Sequence, residues 1–283
     1  MHVVCAGHVN WDVTIRLDRL PVPDGESRVR DRYESGGGSA ANVAVTLVAL
    51  EHDASLVGSV GDDATGRQAL DTLVEAGVDV SPVLTAPGDT ARKYLLVDAA
   101  GEVSVIDDGG VNEAVGPEDV EASWVAGADH LHLTGQRPAT AARLAELAVE
   151  HDLRVSFDPG RLLDRRDYDE TLALTDLLFL NDREATEVAR GTLPEDCVVL
   201  TKHGERGASL VAPDETLEHS GVDLPAVDAT GAGDAFAAGF IAASGRGTDR
   251  ERSLAVANAC GALAASSEGP RPDVSWERIE GLL

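Results

Sequence analysis

Lysine is nearly absent from this chain. Lys93 and Lys202 are its only two lysines in 283 residues, and arginine supplies the other basic side chains. Bulky aromatics are also scarce, at 4%. Against 23 basic residues stand 50 acidic ones, for a net charge of −27. That sign argues against a nucleic-acid partner. Because the acidic residues are scattered and not gathered into a tail, they read as a solvated surface. Arginine in place of lysine, few large aromatics and an acidic surface together suggest a salt-rich cytoplasm. At molar salt the screening length is about 3 Å, so a protein this acidic can still admit an anionic substrate.

Three cysteines (Cys5, Cys197 and Cys260) lie far apart in apolar stretches, without metal-ligand spacing. Buried free thiols in a reducing compartment are the expectation. No cationic segment followed by an apolar run opens the chain, and no apolar run reaches membrane-spanning length, which points to a cytoplasmic protein with no membrane partner. Walker A, a G-x-G-x-x-G fingerprint after a strand, and a Gly-x-Ser-x-Gly elbow are all missing, so neither a P-loop, a dinucleotide site nor a serine-hydrolase elbow has support. His130 and His132 share a strand face but lack a third ligand, which favours a packing role.

What is present is an α/β alternation in a chain long enough for one large core plus a small appendage. Residues 3–9 form an apolar run suited to a buried parallel strand. Asn10, Trp11 and Asp12 follow at its carboxyl end, where open α/β sheets bind ligands; a simple turn is the competing reading. Strands are expected at 55–60, 129–134, 153–158, 177–181, 197–201 and 207–212. Helices are expected at 40–50, 65–76, 139–150, 164–174, 182–190, 232–245 and 249–266. Two excursions break the rhythm. Residues 16–35 are polar and interrupted by Pro21, Pro23 and Gly25, and residues 90–107 carry a hairpin signal around Asp98-Ala99-Ala100-Gly101. The expected organisation is a core of residues 1–15, 36–89 and 108–283 with a β-lid of residues 16–35 and 90–107.

The organising stretch is Val227 to Phe240, with an apolar lead-in (Val222–Val227) read as a strand, a loop containing Gly231 and Gly233, and an Ala-rich helix. A helix N-terminus behind a glycine loop is an anion site, since unpaired N–H groups point outward and no Cβ blocks close approach. Asp234 follows at once. On the motif alone it is either a cap or a base for deprotonating a hydroxyl. Asn181 and Glu184, three apart at a strand-to-helix junction, read equally as a capping box and as oxygens for a hydrated Mg²⁺ with phosphates.

The glycine-rich stretch Gly36 to Asn42, the Asn181/Glu184 pair and Asp228-Ala229-Thr230-Gly231-Ala232-Gly233-Asp234 stand in the order and spacing of the ribokinase (PfkB) family of carbohydrate kinases, which the chain resembles over essentially its whole length. The resemblance implies a three-layer α/β/α core with a mainly parallel sheet, a small β-sheet lid, and phosphoryl transfer from ATP to a sugar hydroxyl. It casts Asp234 as the base, kept ionised by the helix dipole, and the amides of Gly231, Ala232 and Gly233 as the anion hole. Asp12, Gly37, Gly38 and Asn42, joined by Asn10, would bind the sugar. Asn181 and Glu184 would position Mg²⁺. Thr201, Lys202, Gly204 and Gly207 would form the nucleotide-side loop, with Asn258 near the adenine. Asp228 and Thr230 fall where many members hold a monovalent cation such as K⁺.

Departures from the family bear on the substrate. Ser39 stands where ribokinases often have lysine, Lys202-His203-Gly204 replaces a more usual Leu-Gly, and the aliphatic strand Val103–Ile106 speaks against a keto-acid sugar. Cationic anchors for a phosphorylated acceptor exist in Arg92, Lys93, Arg137 and Arg161, although a lysine on a lid edge also serves to discourage strand pairing. The acceptor is expected to be a sugar phosphate such as ribose 1-phosphate or a fructose phosphate, or else a free pentose or hexose. A nucleoside kinase and a non-catalytic sugar- or nucleotide-binding protein remain alternatives. Lid edges of this family often pair, so a homodimer through the lid is expected. With the composition, the resemblance points to a halophilic archaeon.

Overall fold

The computed structural model describes residues 1–188, 193–271 and 273–283. Its main sheet has nine strands: β1 (His2–Ala6), β4 (Asp53–Gly61), β5 (Val83–Ala86), β8 (His130–Thr134), β9 (Arg154–Asp158), β10 (Leu177–Asn181), β11 (Val198–Lys202), β12 (Ala208–Val211) and β13 (Thr216–His219). The order is β13-β12-β11-β10-β9-β8-β1-β4-β5. Pairing is parallel from β5 through to β11 and antiparallel only for β11–β12 and β12–β13. Alternate residues of β1 feed two separate cores: Val3 and Cys5 pack into one, Val4 and Ala6 into the other. Burial on both faces is why these strands read as unbroken apolar runs.

Helices α1 (Ser39–Ala49), α2 (Ala64–Glu75), α6 (Ala232–Gly245), α7 (Arg250–Ala265) and α8 (Trp276–Glu280) contribute to the first core, and α3 (Pro138–Glu150) and the single turn α4 (Asp169–Leu172) to the second. The short α5 (Asp182–Glu187) follows β10. The result is the three-layer α/β/α arrangement. Phe179 anchors the middle of the first core, edge-on to His132, Phe236 and Phe240. His130 and His132 are buried and share the Ser156 hydroxyl at 2.7 and 2.8 Å, so they are packing residues.

A second, four-stranded sheet has the order β3-β2-β6-β7, with β2 (Asn10–Leu17), β3 (Val29–Gly37), β6 (Arg92–Val97) and β7 (Val103–Asp108). The chain leaves the main sheet at Gly7, whose φ of 151° favours glycine and where a Cβ would strike the Thr134 hydroxyl. Asn10 and Asp12 therefore lie inside β2 and not in a turn, and residues 10–15, expected with the core, belong to the small sheet.

Other expectations are corrected. Val222–Val227 is not a strand. Pro225 brings no N–H to a ladder, and the N–H groups of Val227 and Asp228 both donate to the Ala265 carbonyl at the end of α7. The helix expected at 164–174 shrinks to α4, because Asp167 takes the Asp169 N–H and Arg166 and Tyr168 turn away to Glu113 and the Gln136 carbonyl. Strands β5 and β13 and helix α8, too short or too polar to stand out, were not expected. The helix expected at 182–190 ends at Glu187; residues 189 and 190 lie outside the described residues.

Phe179→Ala is expected to lower the unfolding free energy by about 3–5 kcal/mol, the cost of a large buried aromatic. Chemical denaturation checks this, and an unchanged midpoint would contradict the packing described.

Candidate active site

Helices α1 and α6 start side by side above the carboxyl ends of the parallel strands. Gly38 closes the glycine stretch with φ 98°, where a Cβ would strike the His8 carbonyl, and α1 begins at Ser39. Gly231 opens α6 in a left-handed conformation (φ 76°), with the backbone of Pro270 pressed against its Cα. Between the two helix starts, the Asn42 amide donates to Asp234 Oδ2 at 2.8 Å, and the Ser39 side chain also favours the ionised carboxylate. Of the three anion-hole amides read from the sequence, Ala232 donates back to the Ala229 carbonyl at 3.2 Å; Gly231 and Gly233 have no such backbone acceptor among the described residues.

The proposed sugar-binding residues converge here. Asp12 packs so tightly over Gly37 that a Cβ there would overlap its carboxylate. Asn10 accepts from the Asn112 amide at 2.6 Å. Among the described residues, Asn10 Nδ2, Asp12 Oδ1 and Asn42 Oδ1 are buried without hydrogen-bond partners. Buried polar atoms are rarely left unpaired, so several in one place mark where a polar ligand belongs. Lys93 stands in register with Asp12 and with Asp107, and its charge reaches Asp12. Burial pushes the Asp12 carboxyl up to about 6, against the pull of Lys93 and Arg271.

Asp234 is raised likewise. Burial, aided by the charge of Asp158, pushes it up to about 6, although Asn42, Lys202 and Ser39 favour the ionised form. Desolvation thus outweighs the factors holding the carboxylate ionised: it is charged at neutral pH but titrates close below it. Lys202, at the end of β11, spans to Asp158 Oδ2 at 2.5 Å. Burial disfavours its charge, but Asp158, Glu184 and Asp234 more than compensate and raise its pKa.

On the side expected to take the nucleotide, Asn181 and Glu184 form a reciprocal capping box, each side chain accepting the other's N–H at 2.9 Å. Burial and Asp158 raise the Glu184 carboxyl. An amide beside one carboxylate fits Mg²⁺ that keeps most of its waters and takes its other ligands from phosphates. Among the described residues no cluster of three His, Cys, Asp or Glu side chains forms a ready-made cage. Thr201 lies in β11, and Gly204 (φ 63°) and Gly207 (φ 98°) turn the following loop. That loop is tied to α5 through Asp182, which His203 and Arg206 both reach at 2.6 Å. Asn258 lies apart on α7, donating to the His219 carbonyl at 3.3 Å. The Asp228 carboxylate accepts from Thr230 N at 2.9 Å, Gly269 N at 3.2 Å and the Tyr33 hydroxyl at 3.3 Å, which braces the loop.

The cationic candidates separate. Arg92 turns to Thr65 on α2. Arg161 is exposed in the turn after β9. Arg137 donates to the Glu113 carbonyl at 2.9 Å, in a corner where His8 (3.1 Å) and Arg166 (2.6 Å) hold the Glu113 carboxylate. The His8 hydrogen bond and then Arg166 bring the Glu113 carboxyl down to about 2. This corner, one residue from the Asn112–Asn10 bond, was not read from the sequence, and neither was Arg271. The Arg271 guanidinium lies against Gly36, and its Nε and Nη2 have no partners among the described residues. Burial brings it down to about 10 despite Asp12. No local pattern flags any of these residues, because their partners are remote in sequence.

The model for the pfkB family carbohydrate kinases matches residues 1–277. An ATP-dependent ribose-1-phosphate kinase of Halopiger xanaduensis is 54% identical, covering 100% of this chain and 98% of that protein. A nucleoside kinase of Methanothermobacter thermautotrophicus is 27% identical over 96% of this chain and 92% of its own length. In fold, a ribokinase of Arabidopsis thaliana in complex with ribose and ATP superposes with a TM-score of 0.89 at 24% identity, covering 99% and 97% of the two chains. The Thermotoga maritima ribokinase gives 0.87 at 22%, covering 99% and 98%. With the paired helix starts, the glycine loops and Asp234 in place, this chain belongs to the pfkB family of carbohydrate kinases.

Proposed function

We propose that this protein is an ATP-dependent kinase that phosphorylates a hydroxyl of a sugar phosphate, with ribose 1-phosphate as the acceptor, and that Asp234 is the general base. The carrying observation is the set of buried polar atoms on Asn10, Asp12 and Asn42 that have no partner among the described residues, with the Asn42 amide bonded to Asp234. These atoms offer both donors and acceptors to the hydroxyls of a sugar ring. The 54% identity to a ribose-1-phosphate kinase over the whole chain favours a phosphorylated acceptor over a nucleoside or a free sugar. A non-catalytic binding protein would have no use for a half-buried carboxylate beside an anion hole.

In this reading Asp12, Asn10, Asn42, Gly37 and Gly38 hold the ring so that one hydroxyl faces Asp234. Lys93, reaching Asp12 from the small sheet, and Arg137, at the start of α3, anchor the acceptor's phosphate. Asp234 takes the hydroxyl proton as the oxygen attacks phosphorus. The outward amides at the start of α6 meet the transferring charge. Bound Mg²⁺, positioned by Asn181 and Glu184, would neutralise phosphate charge, while Thr201, Lys202, Gly204, Gly207 and Asn258 line the nucleotide side. K⁺ beside Asp228 and Thr230 would stiffen the loop, and pairing of lid edges would give the homodimer.

Release of ADP across a panel of sugars, sugar phosphates and nucleosides, in molar KCl with Mg²⁺, tests the reading. Ribose 1-phosphate is expected to lead, and tight ligand binding with no ADP from any acceptor would favour a binding protein. Lys93→Gln is expected to raise KM for the sugar phosphate by about tenfold, the scale of one charge-assisted contact, while a free sugar is little affected. Equal effects on both would remove Lys93 from the phosphate.

Asp234→Asn is expected to lower turnover at least about 100-fold, as loss of a general base does, while ADP still binds. The wild-type rate is expected to fall as pH drops through about 6, where Asp234 becomes protonated. Stability runs the other way. A carboxyl whose folded pKa lies above its unfolded value contributes stability when protonated and loses it as pH rises through about 6. At pH 7.5 the Asn variant is therefore expected to melt above the wild type; a lower Tm would contradict the burial of an ionised carboxylate.

A further inference from the structure

Lys202 is one of two lysines in a chain that otherwise uses arginine. Asp158 holds its ammonium at 2.5 Å, and the charges of Glu184 and Asp234 favour it as well. Across from Asp158 lies the start of α6: a Cβ added to Gly233 would stand 3.3 Å from Lys202 Nζ. The ammonium therefore faces the phosphate loop across a gap kept open by a missing side chain. Helix dipole, loop amides and ammonium all converge there, whereas a residue serving only the adenosine end would point away from the loop.

We propose that Lys202 is a catalytic residue that leaves Asp158 to contact the phosphoryl group in transit at the Gly231–Asp234 loop. This rests on the reading of Asp234 as the base of a kinase. The acceptor oxygen forms its bond to phosphorus as the bond from phosphorus to the bridging oxygen of the nucleotide breaks. The bonding pair stays with the departing diphosphate, and the acceptor's proton goes to Asp234. Lys202 neither gives nor takes a proton; its charge offsets the negative charge gathered on the group between donor and acceptor. The flexible stem of lysine suits the task, because the ammonium must move from a carboxylate to a phosphate without the planar geometry a guanidinium demands. Asp158 serves as its resting partner, the carboxylate in direct contact with a half-buried ammonium.

A second consequence concerns Asp234. The groups that face it are Ser39 and Asn42 from α1, Lys202 from β11 and Asp158 at the end of β9. Lys202 is the one cation among them, so removing it shifts Asp234 towards its protonated form.

The test compares wild type, Lys202→Met and Lys202→Arg in three measurements: kcat and KM for ATP, the pH–rate profile, and calorimetric binding of ADP with and without aluminium fluoride, a stand-in for the transferring group. Lys202→Met is expected to lower kcat on the order of 100-fold, to move the acid limb to higher pH, and to abolish the tightening of ADP by aluminium fluoride while ADP alone binds within about threefold of wild type. Lys202→Arg is expected to recover part of the fluoride effect. A Lys202→Met enzyme with unchanged kcat, or with a loss confined to KM for ATP, would overturn the proposal. A wild type that releases no ADP with any acceptor would sink the kinase reading and this inference together, whereas an active wild type with an indifferent variant sinks only the inference. If the uncompensated Asp158 prevents folding, the pair Lys202→Met with Asp158→Asn carries the same measurements and the same criteria.

Discussion

The site depends on how closely α1 and α6 approach. Their N-termini must lie near enough for the Asn42 amide to reach the Asp234 carboxylate at 2.8 Å, across 192 residues of sequence. Small side chains permit this. The buried face of α1 carries Ala40, Ala41 and Ala44, and that of α6 carries Ala235, Ala237, Ala238 and Ala242. Where α6 meets α7, a Cβ on Gly239 would lie 2.6 Å from the Cys260 sulfur. Large residues here would push the helix starts apart and break the Asn42–Asp234 bond. The abundance of alanine thus serves geometry.

Electrostatics in the site run against stability. Asp12 and Asp234 are both pushed up to about 6 by burial, and Arg271 is brought down to about 10. Each is a charge held where burial disfavours it. The fold tolerates this because the cores on either side of the sheet are large and continuous. Charge in the site is also counted closely. In a chain of net charge −27, Lys93 and Lys202 stand at its two ends, one beside Asp12 and one beside Gly233.

Much of the fold was legible because its signals are local. Apolar runs gave β4 and β8 to β11 to within one or two residues, although the run at 3–9 breaks at Gly7 and β1 ends at Ala6; Asp63, Asn181 and Asp249 cap their helices as short polar residues do. The stretch Val222–Val227 misled because it is apolar without being paired: whether such a run joins a sheet depends on the neighbour available, and here the end of α7 took its N–H groups. The polar segment 164–168 misled in the opposite way, since helical spacing could not reveal that Arg166 and Tyr168 are drawn to Glu113 and Gln136.

By itself the sequence determined the family, the two glycine loops and the aspartate that follows the second, since backbone conformation and helix starts are written in neighbouring residues. Only the tertiary structure decided which charges share a space. Lys202 finds Asp158 44 residues away, Arg166 finds Glu113 at 53, and Arg271 reaches Gly36 from the far end of the chain. Such pairings follow from sheet order and helix packing. The glycine loop ahead of α6 was legible in the sequence, and Lys202 was read there only as part of the nucleotide-side loop; that its ammonium faces Gly233 and Asp158 emerged only with the fold.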